Sequence, residues 1–364
     1  MIRVDEIYKH IWPYVHAQIP NTRLLYLDPP GHIDVENLCS FIHNPRDHNY
    51  ILFFDQEPLD LQRNKELFAQ AVSSVHNFLP GVSHAALVTS EFNSNTVQRC
   101  CQFYNWHSAQ YFFNGWAALD WFRGYNRSWL LSAPSSRKIT TTFLMPNRIV
   151  TGERIWRLKL LNYLFDRNIG SNHISCPDIC PGTNITIQSA LTDLDCNWQR
   201  FPVERLPLVL DHSGQVPSWA SANLDLVTFA EQSLLYLVTE TVATGKRHHL
   251  TEKVFKPICL RMPFVLASTQ GSLAFLRSYG FQTFNAFWDE SYDDISDDNT
   301  RLSAIADLVA TLDIMSIDQK QKLFDATRPV LEHNYQHFYS GAFEHILWQE
   351  LTNMLEDIRV TFSF

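Results

Sequence analysis

The chain has 364 residues, 45% of them hydrophobic, which exceeds one ordinary domain and supplies two cores of roughly 150–180 residues each. Its formal net charge of −9 gives no global basic field for nucleic acid or an anionic membrane, so a polyanion must be met by a local patch such as Thr244-Gly-Lys-Arg-His-His249. No run of about 18 apolar residues predicts a membrane span, and the opening Met1-Ile-Arg-Val-Asp-Glu6 lacks the apolar centre of a secretory leader. The seven Cys form no paired C-x-x-C motifs, which argues for a reducing compartment; the expectation is a cytoplasmic protein without a metal.

In chain order, Leu24–Leu27, Tyr50–Phe54 and Ala85–Thr89 are short, continuous apolar runs. They predict parallel strands buried on both faces, with helical stretches such as Leu61–Val75 between them. Chemistry in such sheets gathers beyond the C-terminal strand ends, which here carry Asp28, Asp55, Glu57 and Glu91. A second series begins with a strand over Ile139–Met145, followed by a helix over Glu153–Phe165 with Thr151 as its N-cap. Residues 176–220 are rich in Pro, Asn, Asp and Ser and predict a loop region with short elements. Next come a strand over Leu234–Val238, a helix capped by Thr251, and a strand over Pro263–Ala267. A helix capped by Ser272 and closed by Gly280 follows. Ser316 with Gln319 forms a capping box, and the last helix spans Ala342–Ile358.

The richest stretch is Val238-Thr-Glu240 followed by Leu250-Thr-Glu252-Lys253-Val-Phe-Lys256-Pro-Ile258. A strand ends in Glu240, and a helix opens at Glu252-Lys253, where free N–H groups and the positive dipole end suit a phosphate. Lys253 and Lys256, three apart, share a face and could neutralise a diphosphate; the alternative is a surface helix with a Glu252–Lys256 ion pair. Glu240 or Glu252 could accept from ribose or sugar hydroxyls.

This pattern resembles the donor-site signature of fucosyltransferase-like GT-B glycosyltransferases. Phe143-Leu-Met-Pro-Asn147-Arg148, with Arg154 beyond, resembles the opening of the same donor domain. Asp55-Gln-Glu-Pro-Leu59, Phe113-Asn-Gly-Trp116-Ala-Ala-Leu-Asp120-Trp-Phe-Arg123 and Gly280–Asp293 resemble glycosyltransferase-like proteins of large DNA viruses and phages. The resemblance implies two Rossmann-like α/β domains facing a cleft: residues 1–138 for the acceptor, 139–335 for a nucleotide-sugar donor, and 336–364 crossing back as a helix. It further implies that Arg154, with Arg148 as rival, and Lys253 bind the donor diphosphate without a metal.

An inverting transfer needs a general base, for which Asp55 and Glu57 are first candidates, with Glu91 and Asp120 behind them. An Asp-Gln-Glu-Pro turn that only caps the next helix is the structural alternative. Asp193-Leu-Asp195 matches a metal triplet by composition alone. The viral resemblance implies a 5-hydroxymethylpyrimidine in DNA as acceptor, flipped out against Trp106, Trp116 or Trp121. A glycan or small molecule is the rival acceptor, and a non-catalytic sugar-nucleotide or DNA-binding protein is the rival class.

Overall fold

The computed structural model describes residues 4–26, 49–59, 85–125, 137–170, 172–181, 183–194, 197–210, 223–224 and 226–363. Asp28, the predicted helix over Leu61–Val75, Asp195 and residues 211–220 of the loop region lie outside them. The chain is mixed α/β, built on two parallel sheets. It divides into two compact units: Met1–Asp120 with Lys246–His249 and Glu344–Phe364, and Trp121–Gly245 with Leu250–Phe343.

In the first unit, helix α1 (Val4–Gln18) leads into β1 (Thr22–Tyr26), β2 (Asn49–Phe54) and β3 (Ala85–Thr89). Helix α2 (Asn95–Tyr104) then precedes β4 (His107–Gln110) and α3 (Phe113–Phe122). The strands pair in parallel in the order β1-β2-β3-β4. All five residues of β3 are buried, as a strand covered on both faces requires. Ser94 caps α2 by accepting from the Val97 amide at 3.3 Å.

In the second unit the sheet order is β6-β5-β7-β8, all parallel. Strand β5 (Thr141–Met145) is followed by α4 (Ile155–Asp166) and the two-residue β6 (His173–Ile174). The short helices α5 (Ile187–Thr192) and α6 (Val227–Gln232) precede β7 (Ser233–Thr239), whose seven residues are all buried. Helix α7 (Glu252–Cys259), β8 (Phe264–Ala267) and α8 (Ser272–Ser278) follow. Helices α9 (Asp298–Asp313), α10 (Ile317–Tyr339) and α11 (Ala342–Thr361) close the chain, α10 opening with the capping box of Ser316 and Gln319. From Glu344 onward α11 is part of the first unit. There Glu356 accepts from the Tyr14 hydroxyl at 3.0 Å, and Trp348 packs edge-on against His10.

Two helix starts differ from the sequence expectation. Thr151 holds the N-cap position, but of a 3-10 turn over Gly152–Arg154 that leads into α4, and its side chain makes no capping bond; its hydroxyl instead meets that of Thr183 at 2.8 Å. Ser272 is already helical, Gly271 (φ +77°) is the N-cap, and the Asp293 carboxylate accepts from the Leu273 amide at 3.1 Å. A carboxylate at a helix start satisfies orphan amides and complements the dipole, and Asp293 does so from twenty residues downstream of Leu273. Glu290 likewise accepts from the Phe284 amide and the Thr283 hydroxyl, both at 2.7 Å. The acids of the 280–293 motif are therefore engaged in holding their own loop.

Candidate functional site

The second unit gathers charge where β7 ends. Helix α7 is amphipathic: Val254, Phe255, Ile258 and Cys259 are buried, while Lys253 and Lys256 lie half-buried on the other side. Phe255 packs against Phe281, Phe338 and Phe343 at centroid distances of 5.6, 5.6 and 5.3 Å. Burying one such ring contributes about 1.5–3 kcal/mol, enough to fix the helix mouth in place.

At that mouth the Thr251 side chain caps the Lys253 amide. The Thr251 hydroxyl donates to Glu240 Oε2 at 2.5 Å and its amide to Oε1 at 3.2 Å. The Thr241 amide reaches Oε2 at 3.3 Å, so the fully buried Glu240 clamps strand end to helix start. In this conformation its oxygens are engaged within the loop rather than turned to a ribose. Burial raises the Glu240 pKa, and Lys253 partly offsets it. Glu252 shifts the opposite way: burial would raise it, but Lys253 and then Lys256 hold it below the usual carboxylate range.

Lys253 Nζ lies 2.9 Å from Glu252 Oε1, 3.1 Å from the Thr251 hydroxyl and 3.2 Å from that of Thr241. Glu252 pairs with the adjacent Lys253, and the charge of Lys256 acts on the same carboxylate.

Arg157 was not a candidate from sequence, because it sits inside the apolar run of α4. It is 4% exposed and donates to the carbonyls of Ile149 (3.0 Å), Thr239 (3.0 Å) and Glu240 (2.7 Å). Burial, and after it the charge of Arg154, push its pKa down, while Glu240 and Glu252 pull it up. Arg154, Arg157, Glu240, Glu252, Lys253 and Lys256 thus form one electrostatic neighbourhood, with four cations against two carboxylates. Arg148 is half-buried on the loop after β5, next to Asn147, whose side-chain oxygen accepts from Thr239 at 2.9 Å.

In the first unit Asp55 follows β2 and is 4% exposed. The Tyr8 hydroxyl donates to both of its oxygens, at 3.1 and 3.2 Å, and the buried Tyr111 hydroxyl donates to Oδ2. Burial pushes the Asp55 carboxyl up to about 6, against the lowering effect of the two tyrosines. Neither tyrosine was legible as a partner: Tyr8 comes from α1 and Tyr111 from the segment after β4.

Glu57, two residues on, is half-buried. Glu91, behind β3, is engaged in the scaffold. It accepts from the Leu59 amide and lies 3.6 Å from an Arg247 nitrogen. The same Arg247 nitrogen donates to the Leu59 carbonyl at 3.4 Å. The Asp-Gln-Glu-Pro-Leu turn is thereby tied down by Glu91.

The basic stretch 244–249 also departs from expectation. His248 forms an antiparallel bridge with Phe92, Arg247 pairs with Glu91, and the buried His249 ring lies 3.2 Å from the Ser90 carbonyl. Lys246–His249 is therefore an inserted piece of the first unit, while Thr244 and Gly245 belong to the second; Thr244, Gly245 and Lys246 are exposed.

Trp116, expected at the acceptor, is wholly buried and packs edge-on against Trp348 at 4.8 Å, because α3 is buried from Phe113 through Leu119. No ring can stack on it in this conformation. Asp120 is half-buried on the same helix, Trp121 is exposed, and Trp106 packs partly buried on the core under β2 and β3.

Among the described residues no cluster of three or more His, Cys, Asp or Glu could hold a metal, and no helix is long and apolar enough to cross a membrane. No protein-family model, curated protein or solved structure matches the chain.

Proposed function

We propose that the chain is a GT-B-type glycosyltransferase, moving a sugar from a nucleotide-sugar donor held by the second unit to a hydroxyl acceptor held by the first. The observation that carries this reading is the mouth of α7. There Lys253 stands at a helix N-terminus beyond a parallel strand, in the same field as Arg154, Arg157 and Lys256. A departing diphosphate gains negative charge in the transition state, and fixed cations with a helix dipole stabilise it most at that moment. Asp55, with a pKa near 6, is suited to take the acceptor proton at neutral pH.

Between the two acceptor classes, the engagement of Arg247 with Glu91 and the burial of His249 favour a glycan or small molecule. They remove two of the four basic side chains that a DNA-binding loop would offer its phosphates.

Incubating the protein with a panel of nucleotide sugars, and following release of nucleoside diphosphate, tests the reading. One donor is turned over by the wild type, and Lys253→Ala slows that turnover at least about 100-fold. Equal turnover by both proteins overturns the phosphate role of Lys253.

A further inference from the structure

Asp55 cannot meet an acceptor directly while it is 4% exposed, so something must stand between it and solvent. Tyr111 is wholly buried, whereas Tyr8 is half-buried and bridges both carboxylate oxygens. The Tyr8 ring is fixed on three sides, by Tyr26 at 4.8 Å, Phe113 at 6.2 Å and Phe53 at 6.3 Å. Tyr26, stacked on Phe53 at 5.1 Å, keeps 44% of its surface exposed beside Tyr8. A rigid exposed aromatic next to a phenol and a carboxyl is the arrangement that holds a sugar ring: the C–H face lies on the aromatic and a hydroxyl turns to the polar group. Among the described residues no basic side chain hydrogen-bonds or ion-pairs with Tyr8, Tyr26, Asp55 or Tyr111, which suits an uncharged ligand.

Resting on the glycosyltransferase reading, we propose that the Tyr26–Tyr8 face is the acceptor site. It takes an uncharged pyranose, and the Tyr8 hydroxyl passes the acceptor's proton to Asp55. As the acceptor oxygen bonds to the anomeric carbon, the bond from that carbon to the diphosphate oxygen breaks, and its electron pair leaves on the diphosphate. The acceptor's proton moves to Tyr8 Oη while the Tyr8 proton moves to an Asp55 oxygen, leaving a neutral phenol and a carboxylic acid. Burial and the facing carboxylate hold the Tyr8 phenol far above its ordinary range, so the two proton transfers are concerted and no free tyrosinate forms. Tyr111 is a positioning residue that fixes the carboxylate from the buried side.

The test has two readouts. In the first, ligand-observed NMR follows binding of a panel of methyl pyranosides, with a single-stranded oligonucleotide carrying 5-hydroxymethylcytosine as the other arm. A pyranoside is expected to bind the wild type, to bind Tyr8→Phe within about threefold, and to lose at least about tenfold affinity in Tyr26→Ala. In the second, transfer kinetics are measured with the donor that the wild type turns over. Tyr8→Phe is expected to lose about 100-fold in kcat at nearly constant KM, and Tyr111→Phe less than about tenfold. Circular dichroism confirms that each variant is folded.

Equal pyranoside binding by wild type and Tyr26→Ala, binding of the oligonucleotide alone, or no binding in either arm overturns the site. Wild-type kcat in Tyr8→Phe overturns the relay. A wild type that binds the pyranoside through Tyr26 but turns over no nucleotide sugar upholds the site and overturns the transfer reading together with the relay.

Discussion

Two buried carboxylates, one just past a strand in the first unit and one opening a helix in the second, behave in opposite ways. Asp55 in the first unit accepts from two neutral tyrosine hydroxyls, and burial pushes it up to about 6. Glu252 in the second unit lies beside Lys253 and near Lys256, and is held below the usual range despite its burial. Hydrogen bonds from neutral hydroxyls soften the cost of burying a charge, whereas a full positive charge at contact distance outweighs it. The first arrangement suits a group that must gain and lose a proton near neutrality. The second suits a group that stays ionised and orients its lysine.

This contrast can be broken most forcefully at Asp55. Asp55→Asn keeps an acceptor for the tyrosines but removes the base, and transfer is expected to fall by about 10²–10⁴-fold. Steady-state rates with the donor found for the wild type check this, and a loss under tenfold separates Asp55 from the chemistry. The same rate in the wild type should rise with pH through about 6, and the variant should lose that limb.

On the donor side, Arg157→Met leaves the carbonyls of Ile149, Thr239 and Glu240 without their donor, and about 3 kcal/mol of stability is expected to go with it. Urea unfolding measures the loss; a change under about 1 kcal/mol means that the carbonyls find other partners.

The pH dependence of stability gives an effect of similar or smaller size. Asp55 has a folded pKa of about 6 against 3.8 for the free group, so the folded state holds the proton more tightly. Its contribution is fully present below about pH 4 and is lost as pH rises through 6, amounting to about 3 kcal/mol. The gap between wild-type and Asp55→Asn unfolding free energies should change by that amount between pH 4 and 7. A constant gap contradicts the raised pKa.

The smallest effect is expected at Glu57→Gln, which should change transfer by less than about tenfold if Asp55 is the base. A loss as large as that of Asp55→Asn transfers the role to Glu57.

What was legible in the sequence was local. Continuous apolar runs marked the strands Tyr50–Phe54 and Ala85–Thr89, since parallel strands are buried on both faces. Thr251 and the Ser316–Gln319 box were legible because capping is read within three residues. The misses are partnerships across long sequence separations. Asp293 replaces Ser272 at the start of α8, and Arg247 reaches Glu91, so a basic stretch that reads as surface is docked instead. Tyr8 and Tyr111 meet Asp55 only through the sheet, and no spacing rule announces them. Trp116 shows the limit of composition: an aromatic in an apolar helix is core before it is a platform, and the run Phe113–Leu119 held that information.

Calorimetric titration of nucleoside diphosphates, with the matching nucleosides as controls, tests the phosphate-holding mouth of α7 most directly. One diphosphate should bind the wild type and lose at least about tenfold affinity, or about 1.4 kcal/mol, in Lys253→Ala, while its nucleoside binds both proteins alike. Equal diphosphate affinity in the two proteins, or no diphosphate binding to the wild type, would contradict it.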